Sequence, residues 1–269
     1  MTYPMGQDPW RSGENYDRYM GRWSREVAPR FLAWLAPPRG LDWLDVGCGT
    51  GALSGTVVRL AAPRSLLGVD VSASFVERAR ENVPDPRARF SVGDAQDLRV
   101  ETGSRDLAVS GLMLNFVPDR PRALREMARA TRGGGTVAFY VWDYPGRGVE
   151  FMRLFWEVAG ALDPAAVPLG EAARFPFCTP EGLTALALEA GWADVEAVPL
   201  EVETVFAGFD DYWEPFELGT GPAPTYCAAL DHEARQRLRR ALRERLPFER
   251  DGTLRLSARA WGVRGRAAF

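Results

Sequence analysis

The stretch Leu41-Asp-Trp-Leu-Asp45-Val-Gly47-Cys-Gly49-Thr-Gly51-Ala52-Leu53 changes character twice over a short distance. Its first half is apolar enough to read as a short buried strand. Glycine then occupies every second position, which lets the backbone turn tightly and come into contact with a ligand. From Ala52 to about Ala62 the apolar residues fall at helical spacing. In a strand, turn and helix joined this way, the first free N–H groups of the helix face the turn and suit an anionic group. Gly47, Gly49 and Ala52 also satisfy the G-x-G-x-x-G/A pattern of dinucleotide sites, so the turn alone leaves its ligand open.

The same unit recurs outward from this point. SLLGVD (65–70) is an apolar strand, the following segment a helix with Phe75, Val76 and Ala79 on one side, and ARFSVGD (88–94) another strand. DLAVSGLML (106–114), a proline-opened helix over 118–132 and GGGTVAFYVWDY (133–144) continue the alternation, which implies a parallel sheet with crossover helices. Upstream, Tyr16, Tyr19, Met20, Trp23, Val27 and Phe31 mark helical structure over 14–36, ending at Pro37-Pro38. After Tyr144 come an aromatic insertion (145–178) and a helix (179–191) with Thr179 as N-cap and Gly191 as its end. An alternating strand (192–206), a second aromatic insertion (207–250) holding an arginine-rich helix over 231–246, and a closing strand (254–269) complete the chain. A single domain spanning 1–269 is expected, since 269 residues suit one α/β unit with insertions.

Composition removes several chemistries. All 33 basic residues are arginine, so Schiff-base catalysis and the lysine-bearing phosphate loop are excluded. With His232 as the only histidine, no two-histidine metal motif exists, and a histidine-driven nucleophile would have to run through that residue. Cys48, Cys178 and Cys227 form no CxxC pair, so neither a disulfide framework nor a zinc knuckle is implied. A net charge of -3 argues against a protein built to neutralise nucleic-acid phosphates. The first twenty residues lack the apolar core of a signal peptide and no apolar run is long enough to cross a bilayer, so a cytoplasmic location is expected.

Three acids share one register with the glycine turn. Asp45 precedes it inside an apolar strand, where a carboxylate needs donors or a cation. Asp70 ends the second strand about 20 residues on, and Asp94 ends the third. All three therefore face the crevice at the carboxyl ends of the strands. LDVGCGTG, GVDVS, GDAQDL and DLAVSGLMLNFVPD, in this order and spacing, resemble the class I S-adenosylmethionine-dependent methyltransferases, in particular the small-molecule branch similar to quinone-biosynthesis methyltransferases.

The resemblance implies a Rossmann-like α/β fold: a seven-stranded, mostly parallel sheet with an antiparallel last strand, helices on both faces and lid insertions at 145–178 and 207–250. It implies S-adenosyl-L-methionine as cofactor, bound over 41–144 beneath N-terminal helices (14–36), and no metal. Gly47, Cys48, Gly49 and Gly51 would lie against the methionyl part, with Asp45 orienting the loop or the ammonium. Asp70 would hold the ribose diol, Val71 would pack on adenine, and Asp94 and the Ala95 N–H would bond its ring. Ser110, Gly111 and Leu112 would line the methionyl end, Tyr19 would cover the cofactor and Arg22 would pair with its carboxylate.

For the acceptor side the resemblance implies less. Asn115 and Phe116 stand where many relatives carry a histidine, so Asp143, with Asn115 and Tyr16, is the candidate catalytic set; otherwise Asp143 caps the following turn. Trp142, Tyr144, Trp156, Tyr212, Trp213 and Phe216 are candidate acceptor-binding residues, against the alternative that they are core beneath the insertions. The expected activity is in-line transfer of a methyl group to O, N or C of a small organic acceptor, catalysed mainly by positioning. RNA or protein methylation through the arginine helix, a non-catalytic cofactor binder and a nicotinamide dehydrogenase are the alternatives. The expected partner is a small molecule, without nucleic acid or membrane, and a homodimer is an open option.

Overall fold

The computed structural model describes residues 17–219 and 221–268. A five-residue π-helical segment, Asp17–Gly21, leads into α1 (Arg22–Leu35). Then follow β1 (Asp42–Val46), α2 (Ala52–Leu60), β2 (Ser65–Asp70), α3 (Ala73–Asn82), β3 (Ala88–Val92) and β4 (Arg105–Gly111). The chain continues through α4 (Arg120–Ala130), β5 (Thr131–Trp142), α5 (Glu150–Leu162), the single turn α6 (Glu171–Arg174), α7 (Pro180–Glu189) and β6 (Trp192–Phe206). It closes with α8 (Phe209–Trp213), α9 (Pro222–Ala229), α10 (His232–Arg245) and β7 (Leu254–Ala267).

The strands form one seven-stranded sheet in the order β3-β2-β1-β4-β5-β7-β6. Neighbours from β3 to β5 pair in parallel, and β7 runs antiparallel to both β5 and β6. This is the mostly parallel sheet with an antiparallel last strand that the sequence implies. The chain runs outward from β1 to β2 and β3, then crosses back to β4 on the other side of β1. The loops after β1 and β4 therefore diverge, and a crevice opens between them at the topological switch point. β1 and β4 are buried along most of their length, as strands covered on both faces must be.

Short polar side chains set several helix starts. Ser72, Asp119, Thr179 and Asp231 accept from Phe75, Arg122, Gly182 and Ala234 N–H, satisfying donors that the first helical turn leaves free. Thr179 is the cap that its sequence context predicts. Both aromatic insertions are helical, and the arginine-rich helix becomes α10, with Leu238 and Leu242 buried. Its arginines work within the fold. Arg235 donates to the carbonyls of Cys227, Ala228 and Leu230 at the end of α9, while Arg239 pairs with Asp210.

Asp231 caps α10 at 2.7 Å from the Ala234 amide. Asp231→Ala is expected to lower stability by about 1 kcal/mol, with Asp231→Ser recovering most of it; chemical denaturation of the three proteins checks this.

Candidate active site in the sheet crevice

The turn after β1 is held by β2. Gly47 and Cys48 both donate their amides to the carbonyl of Val69, at 2.7 and 3.0 Å, and Gly49 donates to Asp70 Oδ2 at 2.9 Å. This anchoring needs positive φ at Gly47 and Gly49, +71° and +53°, where L side chains are strained. The two glycines differ in what surrounds them. A Cβ on Gly47 would run into the Met113 side chain, whereas one on Gly49 would meet nothing within 4 Å. Gly49 therefore leaves an open face on the crevice side of the loop.

Asp45 lies at the base of the recess with 0% exposure. One carboxylate oxygen accepts from Ser54 Oγ at 2.6 Å; the other has no hydrogen-bond partner among the described residues. Burial, together with the nearby Asp70, pushes its carboxyl up to about 7. Asp70 accepts from Gly49 and Ser72 amides, which oppose the upward push of burial on its own carboxyl. At the end of β4, Ser110 Oγ is buried without a partner among the described residues. Leu112 follows in the left-handed region at φ 61°, a conformation rare for a non-glycine residue and characteristic of strained functional turns.

The recess thus formed is lined by Ser24 of α1, Asp45, Gly47, Gly49, Thr50 and Gly111. Ser24 carries no sequence signal of this placement, because packing of α1 brings it there, whereas Thr50 sits within the glycine turn itself. Cys48 turns inward against Gly68, and burial pushes its thiol well above the ordinary range, which makes it a packing residue. Val71 stands 75% exposed beyond Asp70. Asp94 lies two residues past β3 and accepts from the Gln96 amide at 2.8 Å, with Ala95 partly buried beside it.

Two sequence expectations are redirected. Arg22 makes a forked pair with Asp211, at 2.8 and 3.1 Å, donates to the Val205 carbonyl and lies 4.3 Å over the Trp23 ring. It ties α1 to the second insertion, and its guanidinium is spent there instead of reaching the glycine turn. Asp143 is 1% exposed, accepts from the Gly146 amide at 2.9 Å and pairs with Arg259 at 2.6 Å. A carboxylate enclosed this way caps its own turn and joins β5 to β7, which is the second of its two readings.

The aromatic candidates divide. Tyr212, Trp213 and Phe216 are buried core: Tyr212 donates to the Phe151 carbonyl at 2.9 Å and Phe216 stacks on Phe155 at 4.4 Å. Trp142 is likewise buried in the sheet. Tyr144 and Trp156 instead line a separate cleft. Tyr19 sits edge-on to Phe216 at 5.5 Å, with its hydroxyl unpartnered among the described residues. Asn115 is buried in the 3-10 turn Leu114–Phe116, its amide nitrogen also unpartnered among them. Tyr16 lies outside the described residues. No group of three metal-ligating side chains occurs among the described residues, and none of their helices is long and apolar enough to cross a membrane.

Comparison with known proteins places this geometry in a family. The model of a methyltransferase domain matches residues 44–139. Demethylmenaquinone methyltransferase of Roseiflexus castenholzii is 34% identical over 174 residues, covering 61% of this chain and 73% of that one. Trans-aconitate 2-methyltransferase of Deinococcus radiodurans is 30% identical over 219 residues, covering 77% and 80%. The fold is also that of Haemonchus contortus phosphoethanolamine N-methyltransferase 2, solved with S-adenosylhomocysteine, with TM-score 0.55, 17% identity and coverage of 94% of this chain and 56% of the other. The chain belongs to the class I S-adenosylmethionine-dependent methyltransferases of the small-molecule type.

Two expectations follow from the charges described. Asp143→Asn is expected to cost about 1–3 kcal/mol of stability, because Arg259 loses its partner. Arg259→Gln should cost a similar amount, and the double variant less than the sum, in a double-mutant cycle read by denaturation. The second concerns Asp45, whose folded-state carboxyl at about 7 lies above its unfolded value near 4. Folding therefore favours the protonated form, and this group's stabilising contribution is lost as pH rises through about 7. Asp45→Asn should accordingly stabilise the ligand-free protein at pH 8 by about 1–3 kcal/mol and raise its melting temperature, with the gain shrinking toward pH 5; thermal scans across that range check the sign.

Proposed function

We propose that the protein binds S-adenosyl-L-methionine in the crevice after β1 and transfers its methyl group to an O, N or C atom of a small organic acceptor. The observation that carries the reading is the partnerless oxygen of buried Asp45 beside the open face of Gly49. A carboxylate buried without a cation is costly, and the methionyl ammonium is a cation of the right kind for it. The residues present fit this cofactor in other respects. Asp70 keeps acceptor capacity for a ribose diol beyond its two amide bonds. Exposed Val71 offers an apolar surface for adenine, with Asp94 and the Ala95 N–H available to its polar edge.

When bound, the cofactor supplies a methyl group already activated on a sulfonium. The chain's work is then to hold the acceptor atom in line and to exclude water. Gly49 gives close backbone approach, Asp45 fixes the amino-acid end, and the strained turn at Leu112 with Ser110 and Asn115 forms the wall of the crevice after β4. Since Asp143 is committed to Arg259, proton removal by that carboxylate has no part in the mechanism.

Asp70→Ala is expected to weaken binding of S-adenosylhomocysteine by about 1.5–3 kcal/mol in calorimetry. An unchanged dissociation constant removes the ribose role. Incubating the protein and a deuteromethyl-labelled donor with a metabolite extract, followed by mass spectrometry, should show label in one small molecule and none without the protein.

A further inference from the structure

Asp45 looks into the recess from the end of β1, and none of the described residues that line this recess with it is a cation. α2 supplies the Ser54 hydroxyl, at 2.6 Å, α1 supplies Ser24 and the end of β4 supplies Gly111. The turn supplies Cys48, whose buried thiol stays neutral. From β2 comes Asp70, a second acid. Arg80 of α3 donates to the Phe90 carbonyl at 2.7 Å, and its charge bears on Cys48. The charge that acts on Asp45 from its surroundings is therefore of its own sign. An ionised carboxyl without water or a counter-ion is costly, whereas the neutral acid needs neither. The hydroxyl and amide of Ser54 favour the ionised form, yet they leave the second oxygen without a partner among the described residues. Burial outweighs them and brings the carboxyl up to about 7.

A cationic ligand reverses this balance. An ammonium against the second oxygen pairs with the carboxylate and not with the neutral acid. A ligand that selects one protonation state drives the protein into it, and its apparent affinity falls by the fraction of protein in the other. Asp70 stands differently. It accepts from the Gly49 and Ser72 amides, at 2.9 Å each, and the ribose hydroxyls proposed for it are neutral, so no new charge reaches it on binding.

We propose that Asp45 holds a proton before the cofactor arrives and loses it to solvent when the methionyl ammonium binds, so that this residue selects nucleosides bearing an amino-acid end, and does so more strongly as pH rises. The proposal rests on the cofactor reading above and adds to it a proton exchanged on binding. The proton passes from Asp45 to buffer, and the carboxylate and ammonium remain as a pair, so charge is conserved. The probes are S-adenosylhomocysteine and 5′-methylthioadenosine, which keeps the adenine, ribose and thioether without the amino-acid end. The second therefore reads Asp70 and the rest of the crevice apart from Asp45. The carboxylate lost with the amino-acid end is an anion, which would favour proton uptake and so cannot imitate the release expected.

Calorimetry of the full-length protein in two buffers of different ionisation enthalpy counts the protons exchanged. S-adenosylhomocysteine is expected to release about one proton per molecule bound at pH 6 and close to none at pH 8, its affinity rising about tenfold per pH unit up to about 7 and levelling above. 5′-Methylthioadenosine should release none, with its affinity constant to within about twofold over the same range. Asp45→Asn, which has no carboxyl to titrate, should bind S-adenosylhomocysteine about tenfold or more weakly at pH 7.5 without proton release, and 5′-methylthioadenosine as the unaltered protein does. Binding of S-adenosylhomocysteine at pH 6 with no proton released, or equal release with 5′-methylthioadenosine, would overturn the proposal and leave the cofactor reading standing. Failure of S-adenosylhomocysteine to bind at any pH would overturn both. The two-ligand comparison on the unaltered protein decides the question should the variant fail to fold.

Discussion

A carboxylate placed in an apolar strand is the constraint around which the crevice is organised. Asp45 sits between β1 and the start of α2, fully buried, with Ser54 bonding a single oxygen. Retaining an ionised group there costs stability, which the surrounding sheet must supply from the apolar burial of Trp43, Leu44 and Val46 on the same strand. The cost makes sense at a binding site, where a cationic ligand relieves it on arrival. The glycine turn beside it stays open, since a Cβ at Gly49 would meet nothing within 4 Å.

The parts flanking the crevice are tied by ion pairs distant in sequence. Arg22 links α1 to Asp211 in the second insertion, and Arg259 links β7 to Asp143 at the end of β5. Both pairs are partly shielded from water, so they resist salt more than exposed pairs do. Between them lies an aromatic core in which Tyr19, Phe155 and Tyr212 all contact Phe216. This core connects the N-terminal segment to both insertions, so both insertions and the α1 side of the crevice rest on the same packing.

What could be read from the residues alone was whatever depends on neighbours in the chain. The glycine turn, the cap at Thr179, and the alternation of strand and helix are set within a few residues, by backbone freedom, short polar side chains and periodicity. The roles that needed redirection depend on contacts across the fold. Arg22 and Asp211 stand 189 positions apart, and Arg259 and Asp143 stand 116 apart. Nothing local distinguishes an arginine free for a ligand from one already engaged. Tyr212, Trp213 and Phe216 are aromatic in a polar insertion, which fits a lid as well as a small core, and only the packing on Phe155 and Phe209 decides for the core. The burial of Glu171 against Trp156 is hidden for the converse reason, since its neighbours in sequence show no sign that α6 folds it inward.

The match to the methyltransferase domain ends at residue 139, before either insertion begins. Asp45, Gly49 and Asp70 lie inside it, whereas Trp156 and Glu171 lie outside. The family model therefore bears on the cofactor crevice and not on the insertions. Relatives named for demethylmenaquinone and for trans-aconitate align with this chain at similar identity, which is what a shared cofactor unit with separately built acceptor walls would give.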